Sequence, residues 1–225
     1  LGDVYKRQTI ICMHGYHSTN DIEFVPEVRF LWNLGYSILL PWQRSHGKSE
    51  GRYITYGVKE RHDLKRWILY TNRHLAAKNK DIFLCGISMG CATTLMAAGL
   101  DLPDNVKGII ADCGFTSPWD IIKHVAKERF YLPPFPLMYM VDLISEVVAG
   151  FGLKEVSIPE IMKRNKIPVL FIHGDADDYV PMWMTIKNYE ACAAKKELYI
   201  VSGAGHALAS VSYTHLRAHE TDQYL

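Results

Sequence analysis

Net charge, paired cysteines and long apolar stretches are all scarce in this sequence. Lysine plus arginine number 25 against 24 acidic residues, a formal net charge of +1, and no long block of like charge occurs. A global field that would favour nucleic acid or an anionic membrane is therefore absent, and small molecules are the expected partners. The five cysteines, Cys12, Cys85, Cys91, Cys113 and Cys192, are odd in number and show no C-x-x-C spacing. That excludes a disulfide frame and a cysteine-based zinc site; thiols set mostly in apolar runs read as reduced core residues of a cytoplasmic protein. No apolar run reaches the roughly 18 residues that cross a bilayer, the richest, 135–150, being interrupted by Asp142 and Glu146. Repeats, low-complexity tracts and linkers are missing as well. With 225 residues and 48% hydrophobic content, the chain is expected to fold around one sizeable core.

What is present is organised around residues 81–99. Ile82-Phe83-Leu84-Cys85 forms an apolar run, Gly86-Ile87-Ser88-Met89-Gly90 a turn, and Cys91-Ala92-Thr93-Thr94-Leu95-Met96-Ala97 a helical continuation. This reads as strand, tight turn and helix. A serine at such a turn stands clear of the sheet, and both glycines are needed because a Cβ would collide with neighbouring backbone as the chain reverses. Ser88 is thereby a candidate nucleophile; its alternative role is that of a helix N-cap without chemistry. The five-letter pattern alone is weak, arising by chance in roughly one chain in twenty of this length. It occurs a second time at Gly47-Lys48-Ser49-Glu50-Gly51, where polar Gln43 to His46 precede it. Without strand and helix around it, Ser49 reads as a loop residue.

Further apolar runs at 9–13, 36–40, 106–112, 166–172 and 197–201 predict buried strands. Between them, Phe24, Val25, Val28, Leu31 and Trp32 recur at helical spacing, residues 57–79 predict a long amphipathic helix with Leu64, Trp67 or Ile68, Thr71 and Leu75 inward, and 182–194 predicts a helix with Met182, Ile186, Tyr189 and Ala193 on one stripe. Alternating strands and helices argue a parallel sheet covered on both faces, with ligands beyond the carboxyl ends of the strands. Residues 117–164 break the alternation. Trp119, Phe130, Tyr131, Phe135, Met138, Tyr139 and Met140 cluster there with Pro133, Pro134 and Pro136, which prevents one regular element. The segment reads as a small cap, either packed as core under a long loop or lining an apolar substrate pocket.

A serine hydroxyl needs a base within hydrogen-bond reach, and the base needs an orienting acid. After the 166–172 strand comes His173-Gly174-Asp175-Ala176-Asp177-Asp178-Tyr179-Val180-Pro181, and after the last strand Ser202-Gly203-Ala204-Gly205-His206. Each follows a strand, in the order nucleophile, acid, histidine. Spacing alone leaves Asp175, Asp177 and Asp178 open as the acid.

With the Gly86 to Gly90 turn, His14-Gly15 after the first strand, H-G-x-x-D-x-x-V-P at 173–181 and G-x-G-H ending at His206, the chain resembles the α/β-hydrolase superfamily over about residues 9–210. It is most similar to the bacterial serine-esterase and serine-aminopeptidase-like branch, which also carries the R-x-H-G-x-S-x-G loop found at 44–51. The resemblance implies an α/β-hydrolase fold, a mostly parallel sheet with helices on both faces, lacking the first strands and the last helix and with a small cap between strands 6 and 7 of the superfamily's count. It implies Ser88 as nucleophile, Asp177 as acid and His206 as base, with an oxyanion hole made by the backbone N–H groups of Tyr16 and Met89. His14 and His173 are then structural. Trp42 stands where relatives often carry an acid two residues before the arginine, which puts the usual bracing of Arg44 in doubt.

The expected activity is metal-independent and cofactor-free hydrolysis of carboxylic esters with a short or aromatic acyl group, through an acyl-enzyme. The same triad acting on an amide or short peptide, as in aminopeptidase-like relatives, is the alternative, and a truncated inactive fragment or binding module is a third. Residues 1–8 and 211–225 resemble translated sequencing-adapter peptides, so 9–210 is expected to be a single domain between non-native ends, and His215 and His219 are set aside.

Overall fold

Strands that are largely apolar have to lie inside a layered structure, and six strands meet there. In the computed structural model, which describes residues 8–74 and 80–209, these are β1 (Thr9–Met13), β2 (Ser37–Leu39), β3 (Ile82–Ile87), β4 (Val106–Asp112), β5 (Val169–Gly174) and β6 (Lys196–Val201). They form one sheet in the order β2-β1-β3-β4-β5-β6, and every neighbouring pair is parallel. All strands therefore end at one rim. The helices are α1 (Asn20–Glu23), α2 (Val25–Asn33), α3 (Glu60–His74), α4 (Met89–Ala97), α5 (Pro118–Phe130), α6 (Pro134–Ile144), α7 (Ile158–Met162) and α8 (Met182–Ala191). The fold is an α/β-hydrolase fold.

Period-two alternation sends each strand's side chains to two cores. Ile11, Met13, Leu84, Ile109 and Phe171 meet Leu64 and Ile68 of α3 and Leu95 and Met96 of α4 on one face. Ile10, Cys12, Cys85 and Ile87 meet Phe24 and the partly buried Val28 and Leu31 on the other. Each fully buried side chain of this size contributes about 1.5–3 kcal/mol before entropy is charged against it. All five cysteines are free and buried. Among the described residues no helix is long and apolar enough to cross a membrane.

Three helices differ from their sequence reading. The first splits at Phe24, which is fully buried, and Val25 and Trp32 face solvent. The third spans Glu60–His74, with Glu60, Leu64, Ile68 and Thr71 inward; Leu75 lies outside the described residues. In α8 the buried face is Met184, Thr185 and Asn188 rather than the Met182 stripe. Two polar residues win those places because each is bonded: Thr185 to His173 and the Gly114 carbonyl, Asn188 to the Phe115 carbonyl. Hydropathy cannot foresee a buried polar group with a partner.

Between β4 and β5 the chain makes α5, α6, a π-helical turn at Ser145–Ala149, and α7. Of the aromatic and methionine cluster, Met138 is buried, but Phe130, Tyr131, Phe135, Tyr139 and Met140 are exposed. The prolines turn the segment so that α6 lays one face on the body and leaves the other outside. The end segments 1–7 and 211–225, with His215 and His219, lie outside the described residues; Gln8 is described, and its carbonyl accepts from Ser37 N–H.

The tightest joint is between β1 and α4: a Cβ on Gly90 would stand 1.8 Å from the Met13 carbonyl oxygen, and one on Gly86 2.3 Å from the Gly90 carbonyl. Backbone on both sides leaves nothing to yield. Gly90→Ala is expected to cost about 3 kcal/mol or more, the upper range for overpacking, read as a lowered urea midpoint at unchanged slope; a loss under about 1 kcal/mol would contradict the packing described.

Candidate active site

The turn after β3 forces Ser88 into φ 55°, ψ −115°, a left-handed conformation a side chain rarely adopts. Two bonds hold it there: Ser88 N–H donates to the Asp112 carbonyl at 2.9 Å, and the Ser88 carbonyl accepts from Ala92 N–H at 3.0 Å. The hydroxyl is thus delivered to the rim by a strand, a strained residue and the first turn of α4.

His206, on the loop after β6, meets it there. Its Nε2 lies 2.9 Å from Ser88 Oγ and its Nδ1 2.7 Å from Asp177 Oδ2. A carboxylate can only accept, so the proton sits on Nδ1 and Nε2 accepts from the serine hydroxyl. Among the three aspartates that spacing left open, only Asp177 reaches the histidine. Asp175 accepts from Gly203 N–H at 2.6 Å and so ties down the loop that carries His206. Exposed Asp178 pairs with Arg129 at 3.4 Å, and the same guanidinium lies 4.9 Å from the Tyr179 ring centre, linking α5 to the acid loop.

Asp177 is fully buried at its side chain. Burial by itself pushes its pKa up, but hydrogen bonds from His173 and His206, the charge of His206 and the Val180 N–H outweigh it and hold the carboxyl well below the usual range. Oδ1 accepts from both Tyr179 and Val180 N–H at 2.9 Å, while His173 Nε2 donates to the Val180 carbonyl at 2.8 Å and lies 3.3 Å from Asp177 Oδ2. His173 therefore does more than close its strand: it is a second imidazole against the acid. Its four-residue spacing from Asp177 was the available signal.

Tyr16 and Met89 flank the serine. Met89 opens α4, where free N–H groups and the helix dipole favour negative charge; Tyr16 follows Gly15, on which a Cβ would stand 3.4 Å from Ser88 Cβ. His14 braces this loop, accepting from Gln43 N–H through Nε2 at 3.0 Å and donating from Nδ1 to the Gly15 carbonyl at 2.8 Å. Arg44 finds its acid after all, in α3: its Nε and Nη2 lie 2.6 and 2.8 Å from the Asp63 carboxylate, a bidentate pair. Ser49 donates to the Trp42 carbonyl at 2.8 Å and is a loop residue.

A cavity of about 590 Å³ opens beside Tyr16 and Tyr56, walled by Ile122 of α5 and by Val141, Ile144 and Val148. The Tyr16 ring stacks on Tyr56 at 5.3 Å to form its floor. Another, of about 690 Å³, follows the Arg44 loop; Ser88, Asp177 and His206 line neither of the two, and the first adjoins the site only through Tyr16. Among the described residues one group has donor atoms close enough to share a metal: Cys113, Asp177 and His206, mutually within 4.8 Å. Burial pushes the Cys113 thiol well above its ordinary pKa, and the other two are bonded to each other, so the set is poorly suited to a cation.

Beneath the site Asp112 is buried with Oδ1 unpartnered. Burial pushes its pKa up to about 7, against the pull of His173 and His206.

Comparison with known proteins follows the same line. The model of the prolyl oligopeptidase family matches residues 48–225. The uncharacterized protein YqkD of Bacillus subtilis is 30% identical over 96% of this chain and 70% of its own length; protein bem46 of Schizosaccharomyces pombe is 25% identical over 86% of this chain and 59% of its own. Among solved structures, the esterase Pf2001 of Pyrococcus furiosus superposes with a TM-score of 0.74 at 25% identity, over 98% of this chain and 83% of its own. Est1E of Butyrivibrio proteoclasticus, solved with ferulic acid, has a TM-score of 0.68 at 16% identity, covering 95% of this chain and 90% of its own, and shares the fold.

Because its folded pKa lies above the ordinary 3.8, Asp112 supports the fold most fully below about pH 4, and that support is lost as the pH rises through about 7. Relative to wild type, Asp112→Asn is therefore expected to gain stability between pH 4 and pH 8, by up to roughly 4 kcal/mol. Urea denaturation at the two pH values measures this; parallel pH dependences would refute it.

Proposed function

Because this chain belongs to the prolyl oligopeptidase family, we propose that it is a serine hydrolase that cleaves carboxylic esters through an acyl-enzyme, with Ser88 as nucleophile, His206 as general base and Asp177 as the acid that orients it. The observation that carries this reading is the unbroken pair of hydrogen bonds, Ser88 Oγ to His206 Nε2 at 2.9 Å and His206 Nδ1 to Asp177 Oδ2 at 2.7 Å. In the first half-reaction Ser88 Oγ bonds to the ester carbonyl carbon while its proton passes to Nε2. The tetrahedral intermediate then expels the alcohol, which leaves with that proton. Water, deprotonated by His206, attacks the acyl-enzyme carbonyl; the tetrahedral intermediate then breaks its bond to Ser88 Oγ, which takes the proton back from Nε2 as the acid is released.

Asp177, kept ionised by its donors, stabilises the imidazolium that each half-reaction forms. The N–H groups of Tyr16 and Met89 serve the oxyanion; losing one such donor typically costs about 10²–10³ in kcat. The apolar cavity beside Tyr16 supports a substrate whose acyl group is short or aromatic, a small molecule rather than a polymer. A second reading keeps the same residues and makes the bond an amide. It is favoured by the name of the matched family, whereas the esterase among the structural relatives favours the ester.

Ser88→Ala is expected to lower kcat on a p-nitrophenyl ester at least about 10³-fold while the thermal midpoint stays close to wild type. Retention of most activity, or failure of a fluorophosphonate to label the wild type, would remove Ser88 from the chemistry. Matched ester and anilide substrates separate the two readings: a higher kcat/KM on the ester is expected, and the reverse order would hand the assignment to the amide.

A further inference from the structure

Three successive backbone amides at the end of the first strand loop have different fates. Gly15 N–H donates to Glu23 Oε2 at 2.5 Å and His17 N–H to His46 Nε2 at 3.1 Å. Between them, Tyr16 N–H has no acceptor among the described residues. The Gly15–Tyr16 peptide unit is planar, so its N–H points away from its C=O. That C=O is itself held, accepting from His14 Nδ1 at 2.8 Å and from Ser18 N–H at 3.4 Å.

Resting on the reading above, in which Tyr16 N–H serves the oxyanion, we propose that Glu23 is a positioning residue of the reaction: its carboxylate holds Gly15 N–H so that the next amide, Tyr16 N–H, is left unspent and fixed beside Ser88. His46 does the same from the other side. A donor preorganised in this way needs no reorientation when charge develops, which is where most of its catalytic value lies.

Glu23 ends α1 and belongs to none of the motifs that marked the site in the sequence. Its Oε1 is also the atom a Cβ on Gly15 would meet first, at 2.9 Å, so carboxylate and glycine are in van der Waals contact as well as hydrogen-bonded. Burial raises its pKa, countered only in part by the Gly15 bond and the charge of His206. Since the carboxylate can act through its charge as well as through its bond to Gly15, acceptor and charge have to be separated by substitution. Glu23→Gln keeps an acceptor for Gly15 N–H and removes the charge; Glu23→Ala removes both.

The test measures kcat and KM on a p-nitrophenyl ester and the inhibition constant of a trifluoromethyl ketone, whose hemiketal oxyanion mimics the intermediate. Glu23→Ala is expected to lower kcat about 100-fold, to leave KM within about twofold, and to weaken ketone binding by the same factor as kcat/KM. Glu23→Gln is expected to stay within about fivefold of wild type in all three. A purely structural Glu23 would instead lower the thermal midpoint and the active fraction without touching the ketone affinity of the remainder. Should Glu23→Ala not fold, Glu23→Asp, which withdraws the carboxylate by one methylene and keeps its charge, must show the same kcat-selective loss at about tenfold. Unchanged kcat and ketone affinity in the folded variants, or equal losses in Gln and Ala, would overturn the proposal. A wild type that neither turns over the ester nor binds the ketone would instead strike at the serine hydrolase reading itself.

Discussion

Everything at the rim depends on how closely α4 is pressed against the end of β1. Gly90 packs against the Met13 and His14 carbonyls with no room for a single extra carbon, and this contact sets the helix start immediately behind Ser88. The strained φ of Ser88 follows from it, because the chain has to leave β3 and enter a helix already in place. So does the nearness of the Gly15–Tyr16 loop, which begins where β1 ends. One backbone contact therefore brings a hydroxyl, a helix N-terminus and a neighbouring amide into the same few ångströms.

The opposite side of the site is held by polar bonds rather than packing. Asp177 is buried deeply enough that ionisation would be costly, yet two imidazoles and two amides converge on it and the charged form prevails. Asp112, more deeply buried, has no comparable set of donors and its pKa moves the other way. Two carboxylates in one protein thus take opposite protonation preferences, set by how deeply each is buried and by the donors aimed at it. In α8, Thr185 serves this network through His173 and so occupies a core position that its hydropathy would deny it.

Much of the fold could be read before any coordinates, because the parallel sheet rests on a local signal. A strand buried on both faces needs a continuous apolar run, and those at 9–13, 82–85, 106–112 and 166–172 stand out from the helices between them. The glycines around Ser88 were legible for the same reason, since a tight reversal has few chemical solutions. Less was legible in α8 and α2, where the inward face is chosen by partners from elsewhere in the chain. The aromatic cluster at 130–140 misled in a different way: composition marks it as apolar, but its proline turns aim most of it at solvent.

What the sequence determined by itself is the order of the strands' carboxyl ends and the types of residue that follow them: a serine between glycines, an aspartate-rich loop, a histidine after the last strand. Spacing left Asp175, Asp177 and Asp178 open and only the family resemblance singled out Asp177, which is the one that faces the imidazole; tertiary structure alone decided that Asp63 replaces the missing acid near Arg44 and that Glu23 and His46 hold the amides on either side of Tyr16. The physical reason is range. Backbone conformation and strand burial are written in neighbouring residues, whereas a hydrogen bond between groups 8, 19 or 29 positions apart depends on a direction in space that no local pattern encodes.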